Sequence, residues 1–132
     1  MEFTTAENNV KVVINPASFA DAFRLKTEIQ KALLDNKINI NEAMDEDLVS
    51  IILAIDSSEK VTDALFSCLV KSTYNGIKIT RDTFEPEEAR YDLYEIFFYC
   101  IKVNVYPFFK NLLSRLSINF QTPLKEEDPK SE

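Results

Sequence analysis

Gly76 is the only glycine among 132 residues, and that scarcity restricts the fold more than any other feature of the chain. Folds built on many tight hairpin turns need repeated positions of positive φ, which glycine occupies at little cost. Loops that cradle phosphate need the backbone to approach the ligand closely, and that again calls for several glycines. A helical body is what remains, and 45% hydrophobic with 11% aromatic residues supply ample apolar material for its core. One core is expected, because each half of such a chain would bury too little surface to stand alone. The fold class expected is therefore mainly α: a compact bundle of about five helices, with a short two-stranded β ribbon packed on it.

Local patterns place the elements. Val10 to Ile14 is a β-branched run that ends at Asn15-Pro16, a cap residue followed by proline, where a helix is expected to begin. Phe19, Ala22, Phe23, Leu25, Ile29, Ala32 and Leu33 then recur at helical spacing as one apolar face. Leu48 to Ile55 is apolar at almost every position, which suits a helix buried all round or a strand, and the acidic Asp45-Glu46-Asp47 before it favours a short helix; Asp56-Ser57-Ser58 caps a third whose apolar residues run from Val61 to Leu69. Asn75-Gly76 reads as the terminator of that third helix. Ile77 to Thr80 is a candidate partner for Val10 to Ile14 in the ribbon.

From Pro86 onward the chain again reads as helix, with one stripe of Leu93, Ile96, Phe97, Cys100 and Ile101. A second stripe of Tyr91, Tyr94, Phe98 and Val105 lies on another side. Pro107 is expected to kink or restart the helix, after which Phe108, Phe109, Leu112, Leu113 and Leu116 form a compact apolar face. Residues 1–120 are read as a single helical domain with a short N-terminal arm over 1–9, and residues 121–132 as a disordered acidic tail.

Several chemistries are poorly served. Histidine is absent, which removes the commonest general base, the usual zinc ligand and every nucleophile that works through an imidazole. No catalytic residue, cofactor or metal is expected. Cys68 and Cys100 read as small buried hydrophobes. Glu88, Asp92 and Glu95 fall on one side of a helix and could hold a divalent cation, but acids at a helix start also serve the macrodipole without any metal. A net charge of −7 gives no general attraction to phosphate backbones or anionic lipid, so nucleic acid and membrane are not expected partners.

Charge is unevenly spread. Residues 41–63 carry seven acids against Lys60 alone, whereas residues 98–120 carry Lys102, Lys110 and Arg115 with no acid. Complementary patches on one chain allow copies to associate, and a second apolar stripe adds surface for it. Phe97, Phe98, Tyr106, Phe108, Phe109, Leu112, Leu113 and Leu116 are the candidate partner-binding residues, in self-association or contact with another protein. The plainer alternative places both stripes inside one core.

Two segments, VVINPASFADAFRLKTEIQKAL (residues 12–33) and CIKVNVYPFFKNLLSRL (residues 100–116), resemble the tail assembly chaperones of long-tailed, siphovirus-like bacteriophages. The resemblance implies a small helical protein of the host cell cytoplasm that coats the tape measure protein until tail tube subunits replace it. Such a protein is not retained in the mature virion. The tape measure protein, further copies of the chain and the tail tube protein are its implied partners. Two other readings compete: a structural tail-completion or helical adaptor subunit, and an acidic DNA-mimic inhibitor of a nucleic-acid enzyme.

Overall fold

The computed structural model describes residues 1–35, 56 and 58–110. The expected helix over Leu48 to Ile55, the apolar positions Leu112, Leu113 and Leu116, and the tail 121–132 lie outside the described residues. In chain order come strands β1 (Glu2–Thr4) and β2 (Lys11–Val13) and helices α1 (Phe19–Asp35) and α2 (Glu59–Cys68). Strands β3 (Thr73–Tyr74) and β4 (Ile77–Lys78), a 3-10 turn (Arg81–Phe84), α3 (Glu87–Arg90) and α4 (Leu93–Asn104) follow. After a break at Val105 the chain is helical again over 106–110, the restart expected around Pro107.

The strands overturn the expected bundle with a two-stranded ribbon. They form one four-stranded antiparallel sheet in the order β1-β2-β3-β4. Strand β2 pairs with Thr73 and Tyr74, with Val12 opposite Tyr74, and not with Ile77 to Thr80. Asn75 and Gly76 do not end a helix. Their φ values of 55° and 80° make the tight turn of the β3–β4 hairpin, in which both central residues need positive φ. Helix α2 has already closed at Cys68, with Leu69 as its cap. Residues 2–4, within the expected arm, add the outer strand, Phe3 lying opposite Val12.

Helix starts are set by serines. The Ser18 hydroxyl accepts from Asp21 N at 3.2 Å, so α1 opens three residues later than Asn15-Pro16 suggests. Asn15 instead fastens the loop to the segment before β3: its amide donates to Lys71 O at 2.8 Å, and its backbone N–H to Ser72 Oγ at 3.1 Å. Ser58 caps α2 by accepting from Val61 N. Arg90 closes the short helical stretch before α4, donating to Phe84 O and Glu85 O at 2.9 Å each.

The core lies where three helices and the inner face of the sheet meet. Leu25, Ile29 and Leu33 of α1 cluster with Val61, Leu65 and Cys68 of α2, with Ile96, Phe97 and Cys100 of α4, and with Val12 and Ile14. Phe3 stacks at 4.1 Å on Tyr99, so the outer strand is held against α4 by its own side chain.

Candidate functional site

Two features stand out: a buried polar junction beneath the sheet, and an aromatic cluster left on the surface of α1. At the junction, Asp92 is fully buried immediately before α4. Its Oδ2 accepts from Tyr74 Oη at 2.6 Å and from Asn8 Nδ2 at 2.9 Å, while Oδ1 has no hydrogen-bond partner among the described residues. Asn8 also donates to Glu88 O, and Glu95 Oε1 accepts from Ala6 N at 3.0 Å. Two of the acids considered as metal ligands, Asp92 and Glu95, thus bind the β1–β2 turn to α4, and Glu88 takes part through its backbone carbonyl. Among the described residues no group of three His, Cys, Asp or Glu is placed to hold a metal ion.

Burial, then the hydrogen bond to the Asp92 carboxylate, pushes the Tyr74 phenol up to about 12. Tyr94 is also raised to about 12, chiefly by its 2.6 Å hydrogen bond to Asp56 Oδ2. Cys68 and Cys100 are free and buried. The Cys68 thiol beside it, and then burial, hold the Cys100 thiol well above its ordinary range. This is the environment of inert thiols and not of nucleophiles, which sit in exposed, electropositive settings.

The aromatic cluster joins α1 to the helical segment after Val105. Phe19 and Phe23, one turn apart, have ring centroids 5.6 Å apart. Phe108 lies 6.0 Å from the first and 5.9 Å from the second, edge-on to Phe23. Phe19 remains 72% exposed and Phe23 45%. Lys26 lies over the Phe23 ring at 4.2 Å and donates to Gln30 Oε1 at 2.9 Å. Farther along the same side, Leu34 is 75% exposed. Large apolar side chains gathered in the open have no reason to stay uncovered in water, and such clusters mark interaction sites.

The candidate residues are distributed unevenly. Phe97 is buried among Phe66 and Tyr94, and Phe109 is buried in the core, so neither is on the surface. Phe98 is half-buried against Tyr99. Tyr106 is exposed and Phe108 half-exposed. Leu112, Leu113 and Leu116 lie outside the described residues. Of these residues, the structure brings Phe108 to the surface cluster, and it adds Phe19 and Phe23, which periodicity alone assigns to the core face. The signal was present. The buried arc of α1 is Ala22, Leu25, Ile29, Ala32 and Leu33, and Phe19, Phe23 and Leu34 widen the apolar face beyond what one packed side can cover.

A family model described as phage tail assembly chaperone protein, TAC, matches residues 8–117. No curated protein and no solved structure matches the chain. The family match takes in the sheet from β2 onward, the described helices and the aromatic cluster. The chain belongs to the phage tail assembly chaperone family.

Proposed function

We propose that this chaperone binds the tape measure protein and keeps it soluble during tail assembly, through the exposed cluster of Phe19, Phe23 and Phe108. The observation that carries the reading is the exposure of two phenylalanines on α1, 72% and 45%, beside a third on the neighbouring segment. A tape measure protein is a very long helical chain with apolar stripes, and such stripes aggregate when bare. Many copies of a small chaperone, each holding weakly, cover one long client by multivalency, and self-association keeps the copies in line. No catalytic step is part of this role. The place of action is the host cell cytoplasm, and the chaperone leaves before the virion is complete, as tail tube subunits take over the client.

Co-purification tests it. The full chain retains a tape measure fragment on a column, and Phe19→Ser/Phe23→Ser loses it while keeping its helical content. Undiminished retention by the folded double variant counts against the cluster as the client surface.

A further inference from the structure

We propose that the stripe of α1 formed by exposed Phe19, Phe23 and Leu34 with half-buried Lys26 and Gln30 docks a partner α-helix. That helix carries apolar side chains toward both ends of the contact and a carboxylate between them, seated on Lys26. The inference rests on the client-binding reading above and adds the shape and charge of the bound segment.

The five residues follow one another at steps of four, three, four and four, the spacing at which side chains form a row along a helix. The row is separate from the buried arc that α1 gives to the core, and among the described residues Phe108 is the aromatic neighbour packed on it from another element. The backbone of α1 is internally hydrogen-bonded and offers nothing to an extended strand. What it offers is a straight line of side chains, and a second helix fills such a line by interdigitation.

Lys26 sets the charge. Its ammonium rests over the Phe23 ring and is held by Gln30, so it lies within the stripe and between the apolar ends made by Phe19 with Phe23 and by Leu34. The acids of α1, Asp21, Glu28 and Asp35, fall on another side of the helix and do not serve it there. A wholly apolar partner would bury this cation without an anion, which is costly, whereas a glutamate or aspartate at the matching position compensates it and fixes the register.

The test uses the full chain and three synthetic helical peptides with one apolar stripe, differing only in a central Glu, Gln or Lys. The Glu peptide binds about tenfold more tightly than the Lys peptide at low salt, with Gln between them. Lys26→Glu reverses the order. Lys26 is on the surface side of α1, so this variant folds and carries the test even where aromatic variants do not. Equal affinities, or an order unmoved in Lys26→Glu, overturn the proposal and leave client binding at Phe19 and Phe23 standing. A tape measure fragment that still binds folded Phe19→Ser/Phe23→Ser overturns both. Concentration-dependent self-association in sedimentation that disappears in the same double variant assigns the stripe to a second copy, and also overturns it.

Discussion

Tyr74 Oη lies 2.6 Å from Asp92 Oδ2, joining the third strand of the sheet to the start of α4 across a buried boundary. The carboxylate has no cation beside it among the described residues; only the phenol and the Asn8 amide are aimed at it. Removing the phenol leaves the buried charge with a single donor. Tyr74→Phe is therefore expected to lose about 2 kcal/mol of stability, within the range for stranding a buried charged acceptor. Urea unfolding measures it, and a variant as stable as the wild type contradicts the assignment.

The same phenol sets an alkaline limit. Tyr74 and Tyr94 titrate near 12 in the folded protein against 10 for the free side chain. A group whose folded pKa is raised contributes stability that is complete below the unfolded value and disappears as pH climbs through the folded one. Stability is thus expected to be insensitive to these two groups up to about pH 10 and to fall between about 10 and 12. Ultraviolet titration of tyrosinate should show two late-ionising groups, and Tyr74→Phe should remove one.

Phe109 and Phe19 are expected to part company. Phe109 is buried, so Phe109→Ala costs about 3 to 5 kcal/mol through lost packing and a cavity. Phe19 is 72% exposed, and Phe19→Ser stays within about 0.5 kcal/mol of the wild type. Denaturation of both variants, run beside client binding, separates a residue that builds the body from one that meets a partner.

Cys68 and Cys100 are each 0% exposed, and the Cys68 thiol donates to Asp21 O at 3.3 Å. Alkylating reagents are expected to modify neither at neutral pH until the protein opens, with labelling that rises along the urea transition. Mass spectrometry of intact protein would register rapid labelling in native buffer, which is the contrary result.

Gly76 has φ +80° and open space where a Cβ would stand, so Gly76→Ala meets no clash and only the backbone penalty. That penalty is about 1 to 2 kcal/mol. A thermal melt should show the loss, while Asn75→Gly, at φ 55°, should be tolerated.

The Asn-Gly pair also shows where sequence reading stopped short. A positive-φ pair is equally at home ending a helix or turning a hairpin, and only the partner strand distinguishes them. That partner, Val12 opposite Tyr74, lies 62 residues away. Strands of two or three residues carry no alternation to read, which is why Glu2–Thr4 and Thr73–Tyr74 escaped notice while the β-branched run around Val12 did not. The apolar face of α1 and the buried stripe of Ile96, Phe97 and Cys100 were legible because several turns repeat the pattern. The surface cluster was half legible: Phe108 was among the candidates, but Phe19 and Phe23 share their spacing with the core residues beside them. Only the position of Phe108, packed against both, shows which side they take.

The β1–β2 turn is stitched to α4 by Ala6 and Asn8, whose partners Glu95 and Asp92 lie more than eighty residues farther along the chain. During synthesis β2 meets β3 first, and the β1–β2 turn gains its partners on α4 only once that helix has left the ribosome. Locking of that turn is therefore a late event of folding, set by contacts between segments far apart in the chain.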